Sequence, residues 1–258
     1  EDLRRFTEVL ARPHGVVLAT GPTGSGKTTT LYAALDQLRT GREKIVTVED
    51  PVEYQLDGIP QVPVNERVGV TFASALRALL RQDPDVMLVG EIRDGETAEI
   101  ATQAALTGHL VLSTLHTNDA AGALTRLVDL GVAPFLVSAT VEAVLAQRLV
   151  RTVCRVCAAR VAATTSERAA LGDDTLADVV RGVGCDTCRG SGYVGRTGAY
   201  ELLVLDETMR AAISAGEGAS RVRALASAAG MGSLRDDGAR LVREGVTTPE
   251  EVIRVTRG

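Results

Sequence analysis

The stretch GPTGSGKT, residues 21–28, fits the phosphate-binding pattern G-x-x-x-x-G-K-[ST]. It follows the apolar run VVLAT and opens a helix-like run, which is the context that this pattern requires. Its glycines let backbone N–H groups wrap around phosphate oxygens, and the N-terminus of the helix adds positive potential. The pattern predicts binding of ATP and Mg²⁺, with Lys27 on the β- and γ-phosphates and Thr28 on the Mg²⁺. The predicted nucleotide-binding residues are Gly21, Pro22, Thr23, Gly24, Ser25, Gly26, Lys27, Thr28 and Thr29.

Acidic residues follow two further apolar runs. In DVMLVGEIRD, four apolar residues lead into a glycine and Glu91, so a buried strand delivers one carboxylate to the carboxyl edge of a sheet. We expect Glu91 to act on Mg²⁺ through water or to polarise the attacking water; the alternative is a helix cap. In KIVTVEDPVEY, Pro51 breaks the strand and leaves Glu49, Asp50 and Glu53 on a loop. One of these three is a candidate general base, and the alternative is a solvated acidic loop.

Two histidines stand at the ends of the strand-like run in TGHLVLSTLH. The odd spacing of His109 and His116 puts them on opposite faces of a regular strand, which disfavours binding of one metal by both. A histidine that ends a strand beside a phosphate site can sense the γ-phosphate or contact a neighbouring subunit. The alternative for each is an ordinary hydrogen-bonded polar residue.

Several arginines could contact phosphate. Arg77 and Arg81 are four residues apart in ALRALLRQDPD, so a helix places them on one face. Two like charges at this spacing are unfavourable by about 0.2–0.5 kcal/mol unless an anion lies near them, and the nucleotide of a neighbouring subunit would be such an anion. Surface salt bridges are the alternative. Arg93 and Arg126 are weaker candidates.

The four cysteines form two C-x₂-C pairs with a spacer of 27 residues, which resembles a zinc ribbon. A thioredoxin-type redox motif would show one pair near a βαβ start, and disulfides are disfavoured in the cytosol. Four thiolates fill a tetrahedral Zn²⁺ and leave no position for water, so the predicted metal is structural. Reduced structural thiols are the alternative. The predicted zinc ligands are Cys154, Cys157, Cys185 and Cys188.

Strands and helices must position these residues. The runs GVVLAT, KIVTVED, DVMLVGE and HLVLSTLH are strand candidates, and helix-like runs separate them. Strands that are apolar throughout predict an α/β fold with a parallel sheet covered on both faces. We expect an ATPase core over residues 1–150, a tetracysteine zinc-binding subdomain over 151–198 and a helical subdomain over 199–258.

Composition restricts the function further. The net charge of −5 and the absence of tryptophan argue against a general nucleic-acid-binding protein. No apolar run approaches the roughly 18 residues of a membrane-spanning helix, so we expect a soluble cytosolic protein. The chain begins with glutamate, which is consistent with a piece of a longer protein.

The motifs together resemble a family. The runs GPTGSGKT, EDPVEYQ, GEIRD and AALTGHLVLSTLHTND occur in the order of the Walker A, Asp-box, Walker B and His-box motifs of the secretion ATPase superfamily, the hexameric motors of type II secretion and type IV pili. With the four cysteines, the chain most resembles the type II secretion ATPases, general secretion pathway protein E. The pilus-extension ATPases are similar and also carry such cysteines.

This resemblance implies a RecA-like P-loop core and Mg²⁺-dependent ATP hydrolysis in a ring-shaped motor that drives pseudopilus assembly and protein export. It implies that Glu53 is the water-activating base, that Glu91 is the Walker B acid, and that Arg77 and Arg81 approach nucleotide across a subunit boundary. His109 and His116 become the His-box pair. The implied location is the cytoplasmic face of the inner membrane, with platform proteins of that membrane as partners.

The family also carries amino-terminal domains ahead of RPHG, so this portion alone is expected to bind ATP yet turn it over slowly. Four alternative functions stay open: a type IV pilus extension ATPase, a P-loop kinase, a nucleic-acid translocase and a nucleotide-gated adaptor. A kinase would transfer phosphate to an acceptor, and a translocase would be stimulated by DNA or RNA in a salt-dependent way. An adaptor would keep its function after substitution of Lys27 or Glu91.

Overall fold

The predicted alternation of buried strands and helices is confirmed in the computed structural model, which describes residues 1–256. In chain order the first elements are α1 (Asp2–Leu10), β1 (Gly15–Thr20), α2 (Lys27–Leu38), β2 (Ile45–Glu49), β3 (Gln61–Pro63), α3 (Phe72–Leu80), β4 (Val86–Val89), α4 (Gly95–Leu106), β5 (Leu110–Leu115), α5 (Ala120–Asp129) and α6 (Pro134–Thr140). The remaining elements are β6 (Val141–Val153), β7 (Ala158–Ala162), α7 (Thr165–Leu171), β8 (Asp178–Gly182), β9 (Tyr193–Val204), α8 (Glu207–Ser214), α9 (Ala219–Ala228), α10 (Leu234–Arg243) and α11 (Pro249–Thr256).

The main sheet has the strand order β3-β2-β4-β5-β1-β6-β9. The pairs from β3 to the first part of β6 are parallel. β1, β2, β4 and β5 are buried along their whole length, as expected of a parallel sheet covered by helices on both faces. Because the strands run the same way, the residues that follow β1, β2, β4 and β5 gather at one edge of the sheet.

Two long strands, β6 and β9, were not predicted from the sequence. β6 reads VEAVLAQRLVRTV, in which charged and amide side chains interrupt the apolar pattern that marks a buried strand. β9 continues through Val204 and so extends into the region predicted to be helical throughout. Burial in the folded chain explains both strands. Most of β6 is buried in spite of its polar residues, and the second half of β9 is largely buried as well.

The described chain groups into two compact units that are interleaved in sequence. The first comprises Glu1–Gly21, Lys27–Ala146 and Leu202–Met231, and the second comprises Pro22–Gly26, Gln147–Glu201 and 232–256. The predicted division at residues 150 and 198 remains a prediction about functional domains. In the compact units, α8 and α9 belong to the first, whereas α10 and α11 belong to the second.

The second unit has a small apolar core. It packs residues of α7, β8, α10 and α11 and of the segments next to them, namely Ala163, Leu171, Leu176, Val179, Ala239, Val242 and Val252. Gly238 of α10 lies against Val252, and a Cβ at this glycine would come within 2.4 Å of the valine side chain. The packing therefore requires a glycine in the interior of a helix, where it is normally unfavourable.

A buried carboxylate fastens α11 to β6 within this unit. Glu251, with a side chain only 2% exposed, accepts hydrogen bonds from the guanidinium of Arg151 at 2.7 Å, from the Arg151 backbone N–H at 3.0 Å and from Arg254 at 2.8 Å. Burial alone would raise the pKa of Glu251, but the two arginines and the backbone N–H lower it to about 2. The Arg151 guanidinium also lies 4.0 Å from the ring centroid of Tyr193.

Within residues 1–256, no helix is both long and apolar enough to cross a lipid bilayer.

We expect Glu251→Gln to lower the free energy of unfolding at pH 7 by about 1–3 kcal/mol, since it removes the charge that several donors surround. The folded-state pKa lies below the ordinary value of 4.5, so this stabilisation is fully present above pH 4.5 and is lost as the pH falls towards 2. Denaturant unfolding at several pH values should show the gap between variant and wild type closing in acid. Glu244→Gln, which breaks an exposed pair with Arg240, should change stability by less than about 1 kcal/mol. Equal effects of the two substitutions would contradict this account.

Candidate functional site

The phosphate loop connects β1 to α2 and has the backbone that its glycines predict. Gly21, Gly24 and Gly26 have φ angles of 147°, 76° and 89°, which L side chains rarely adopt. A Cβ at Gly26 would lie 2.7 Å from the amide nitrogen of Gln147, so this glycine is also required for packing. The hydroxyl of Ser25 is buried and has no hydrogen-bond partner among the residues described. A buried hydroxyl without a protein partner fits a loop that binds phosphate oxygens.

Lys27 begins α2 and is 9% exposed. Its Nζ donates a hydrogen bond of 2.8 Å to the carbonyl oxygen of Gly21, so the ammonium folds back to the start of its own loop. A helix N-terminus, a loop of backbone N–H groups and an ammonium group together suit a polyphosphate. Thr28, the predicted Mg²⁺ ligand, is half-buried in the first turn of α2, and Thr29 is exposed.

Glu91 stands two residues beyond the end of β4, and its side chain is 15% exposed. Arg93 donates to one of its carboxylate oxygens at 2.6 Å, and Nε2 of His116 lies 3.4 Å from the other. Burial raises the pKa of Glu91, but Arg93 and His116 outweigh it, and the net pKa is below the ordinary value. An ionised carboxylate of lowered pKa is a weak proton acceptor but a good partner for hydrated Mg²⁺.

The carboxyl edge of the sheet brings four predicted candidates together. Arg93 lies between Glu91 and Asp50, with its Nη1 3.6 Å from the Asp50 carboxylate, and His116 lies on the far side of Glu91. These residues follow β2, β4 and β5, so the parallel sheet itself assembles them. The sequence alone makes Arg93 a weak candidate, yet its guanidinium joins the carboxylates of Asp50 and Glu91.

His109 is not at this edge. It precedes β5, and its Nδ1 lies 2.9 Å from the carbonyl oxygen of Ala104 at the end of α4. A strand rises about 3.3 Å per residue, so the six residues of β5 separate His109 from His116 by roughly 20 Å. The two histidines therefore have different surroundings, and only His116 contacts a candidate catalytic group.

The three candidate bases after β2 differ in environment. Glu49, the last residue of β2, is buried and accepts hydrogen bonds from Tyr32, Thr47 and Gln61. Asp50 is paired with Arg93. Glu53 is exposed, and within the described chain its carboxylate has neither a hydrogen bond nor an ion pair.

The arginines of α3 have partners in the same chain. Nη2 of Arg77 lies 2.6 Å from the carboxylate of Glu96, and both side chains are more than half exposed. Arg81 donates to the carbonyl oxygen of Arg77 at 3.0 Å. Exposed pairs of this kind are weak, so they leave both guanidinium groups able to exchange partners. Arg126 is exposed on α5.

One polar contact beside the loop was not anticipated. Thr20, the last residue of β1, accepts a hydrogen bond of 2.9 Å from the backbone N–H of Thr117, and the two hydroxyl oxygens are 2.7 Å apart. Thr117 directly follows His116, so this contact fixes the end of β5 against the strand that leads into the phosphate loop. The available signal was a threonine at the end of an otherwise apolar strand.

The four cysteine sulfurs lie within 4.8 Å of one another and form no disulfides. Three pairs of Sγ atoms are separated by 3.7–3.8 Å. Four sulfurs at the usual Zn–S distance of about 2.3 Å around a tetrahedral ion would be about 3.8 Å apart, so the cluster fits Zn²⁺. The two cysteine pairs thus meet, although a spacer of 27 residues separates Cys157 from Cys185 in the sequence.

The local backbone favours a thiolate at Cys188, whereas burial raises the pKa of Cys157 to about 11. Burial raises the pKa of Cys188, but backbone N–H groups of Cys185 and Gly192, each 3.2 Å from its sulfur, lower it to about 6. The backbone at Gly182 lies directly against the backbone at Gly192, close to the cysteines. A Cβ at Gly182 would come within 2.0 Å of the carbonyl oxygen of Gly192, so this approach requires a glycine.

The fold and the loop define a class, the α/β proteins with a P-loop after a central strand of a mostly parallel sheet. Within that class the chain belongs to the family described as Type II/IV secretion system protein, whose sequence profile matches residues 1–254. This confirms the resemblance drawn from the motifs and their order.

Named relatives are similar over nearly the whole chain. Type II secretion system protein E of Pseudomonas aeruginosa is 57% identical, over 99% of this chain and 51% of that protein. Type II secretion system ATPase E of Vibrio cholerae is 52% identical, over 98% and 50% respectively. Type IV pilus assembly ATPase PilB of Thermus thermophilus is 51% identical, over 98% of this chain and 29% of that protein. The chain spans about half the length of the type II secretion relatives.

Solved structures confirm the fold. The pilus retraction motor PilT with bound ADP has a TM-score of 0.75 at 30% identity, over 98% of this chain and 64% of that chain. The ATPase DotB of Legionella pneumophila has a TM-score of 0.69 at 25% identity, over 98% and 62% respectively.

Substitution of the loop lysine should weaken nucleotide binding. We expect Lys27→Ala to raise the Kd for ATP at least tenfold, about 1.4 kcal/mol, because it removes the ammonium at the mouth of the loop. Isothermal titration calorimetry with Mg²⁺ and ATP measures this. The matched control is Lys44→Ala, since Lys44 is exposed before β2 and bonds to the carbonyl oxygen of Gln82. An unchanged Kd for Lys27→Ala would contradict the assignment of the loop.

Proposed function

We propose that this chain is the catalytic portion of an ATPase that powers type II secretion. One observation carries the proposal: an ionised Glu91 and the phosphate-loop lysine follow parallel strands of one sheet, β4 and β1, with only β5 between them. The names of the relatives and the ADP in the PilT structure support nucleotide hydrolysis. The RecA-like class rests on the same arrangement of loop and sheet.

The residues divide the work of phosphoryl transfer. Lys27 and the loop N–H groups bind the phosphates, and Thr28 and Glu91 would hold Mg²⁺. Mg²⁺, when bound, neutralises charge on the β- and γ-phosphates. Glu53 accepts a proton from water while the water oxygen bonds to the γ-phosphorus and the bond to the β-γ bridging oxygen breaks, which yields ADP and phosphate.

Glu53 is favoured as the base over its neighbours. The carboxylate of Glu49 is buried and already surrounded by donors, and Asp50 is paired with Arg93. Of these three candidates, Glu53 alone presents an exposed carboxylate without a partner among the described residues. His116 contacts Glu91 and is placed to report the state of that carboxylate. No such contact supports a catalytic role for His109.

The assembled motor is part of the proposal. We infer a homo-oligomer, a hexamer by family resemblance, in which Arg77 and Arg81 exchange their weak intrachain partners for the nucleotide of the adjacent subunit. Its proposed place is the cytoplasmic face of the inner membrane, on platform proteins of the secretion system. Pilus extension is the second candidate, because a type IV pilus assembly ATPase is 51% identical.

The cysteine cluster is proposed to hold one structural Zn²⁺. Four sulfurs at tetrahedral spacing, three of them buried, leave no position for a water ligand, so the ion is not catalytic. The second unit has a small core, and the metal takes the place of further apolar packing near its two cysteine pairs.

Glu91→Gln tests the ATPase. We expect kcat for ATP hydrolysis to fall by about 10²-fold or more. The neutral amide lacks the negative charge with which the Glu91 carboxylate would act on hydrated Mg²⁺ and on the attacking water. ATP should still bind, since the phosphate loop is intact. Phosphate release under saturating ATP is the measurement.

The matched control is Glu99→Gln on α4, where the exposed carboxylate accepts a hydrogen bond only from Gln103 among the described residues. It should retain wild-type turnover. Full activity of Glu91→Gln, or transfer of phosphate to an acceptor without free phosphate, would rule out the proposed mechanism.

Metal analysis tests the cysteine cluster. We expect one Zn²⁺ per chain by elemental analysis and loss of that Zn²⁺ in the Cys157→Ser/Cys188→Ser double variant. Chelation should increase protease cleavage within residues 154–188 and leave ATP binding at Lys27 largely intact, because Lys27 holds its place through its hydrogen bond to the carbonyl oxygen of Gly21. The zinc site would be refuted if the purified protein contained reduced thiols and no metal, and if its resistance to protease were the same with and without chelator.

A further inference from the structure

A buried polar cluster lies behind the loop that carries Glu53. Its centre is Glu49, which is 3% exposed and accepts hydrogen bonds from the hydroxyls of Tyr32 and Thr47 and from the side-chain amide of Gln61 at 3.1 Å. Tyr32 is 1% exposed. A buried carboxylate is tolerated only with such donors, so the groups are held in one arrangement.

The cluster also reaches the backbone just after Glu53. The amide group of Gln61 donates to the carbonyl oxygen of Tyr54 at 3.2 Å and accepts from the backbone N–H of Leu56 at 2.7 Å. The ring of Tyr54 meets that of Tyr32 edge to face, with centroids 4.7 Å apart. Residues 54 and 56 are therefore fixed to the cluster.

Tyr32 is bound to two other side chains of the cluster. Its hydroxyl donates to Glu49 and accepts a hydrogen bond of 3.2 Å from the side-chain amide of Gln61. Burial and the adjacent Glu49 raise the pKa of Tyr32. The Glu53 side chain is exposed, and the residues that follow it, Tyr54 and Leu56, are held to the cluster through Gln61.

Tyr32 also belongs to the helix of the phosphate loop. It lies in α2 four residues after Thr28, one helical turn further along. The cluster consequently joins two parts that phosphoryl transfer must align, the helix that starts at the nucleotide and the loop with the candidate base. Misplacement of a catalytic group by about 1 Å can lower a rate by about 10²-fold.

We propose that Tyr32, Glu49 and Gln61 are positioning residues that hold Glu53 in register with the phosphate loop. This inference rests on the proposed ATPase function and deepens it. It assigns the buried Glu49 a supporting role. It also explains how Glu53, whose carboxylate has no hydrogen bond or ion pair in the described chain, can still occupy a defined place.

The first test uses the full-length protein and removes the hydroxyl of Tyr32. Tyr32→Phe should lower kcat for ATP hydrolysis about 10- to 100-fold while KM changes less than about twofold, because the phosphate loop is untouched. Tyr54→Phe is the matched control. It removes the hydroxyl of the other member of the aromatic pair. That hydroxyl has no hydrogen bond in the described chain, so kcat should stay unchanged.

A double-mutant cycle asks whether Tyr32 acts through Glu53. In the Glu53→Gln background, Tyr32→Phe should cause no further fall in kcat, because the group that it positions is already lost. An equal fall in both backgrounds would overturn the inference, since the tyrosine would then act by another route. Full activity of Glu53→Gln would overturn it as well.

Hydrogen exchange followed by mass spectrometry gives a readout independent of catalysis. Without nucleotide, the peptide that covers residues 50–57 should exchange faster in Tyr32→Phe and in Gln61→Ala than in wild type. Tyr54→Phe and Gln55→Ala, which alter exposed side chains of the same loop, should exchange as wild type does. Unchanged exchange in both cluster variants would refute the inference.

These outcomes separate the two proposals. If Glu91→Gln and Glu53→Gln abolish turnover while Tyr32→Phe and Gln61→Ala remain fully active, the ATPase stands and the positioning role falls. If wild type releases no phosphate from ATP, the ATPase itself falls, and the positioning role in catalysis falls with it.

Discussion

The parallel direction of β2, β4, β5 and β1 is the constraint on which the candidate site depends. Each strand is buried along its length, so its first polar residues come where the chain leaves the sheet. Because all four strands leave at the same edge, groups far apart in sequence meet there without a dedicated binding domain. His109 shows the converse, since it enters β5 at the opposite edge and meets an α4 carbonyl oxygen instead.

Buried carboxylates recur, and each is matched with donors. Glu49 has two hydroxyls and an amide, Glu91 has a guanidinium and an imidazole, and Glu251 has two guanidinium groups and a backbone N–H. Such groups contribute little net stability but admit few alternative arrangements. The carboxylates differ in exposure: Glu49 and Glu251 are buried, whereas Glu91, the proposed catalytic acid, lies partly open at the sheet edge.

The two compact units place different demands on the sequence. The first buries long apolar strands under helices, whereas the second relies on a small cluster of mostly aliphatic side chains, close glycine contacts and four sulfurs. The glycines at 182 and 192 allow two backbone segments to approach beside the cysteines. A metal clip is a natural solution where a chain segment is too short to bury a core of its own.

By itself, the sequence determined the local elements and the chemistry of their ends. The phosphate loop, the buried strands, the helices between them and the paired cysteines follow from short-range patterns, because glycine, apolar runs and C-x₂-C spacing have direct local consequences. Tertiary structure decided which candidates meet. It joined Arg93 to Glu91, separated His109 from His116, buried Glu49 behind Glu53, and made strands of β6 and β9 despite their mixed composition. Contacts between residues distant in sequence depend on strand order and direction, and no local pattern in one sequence encodes these.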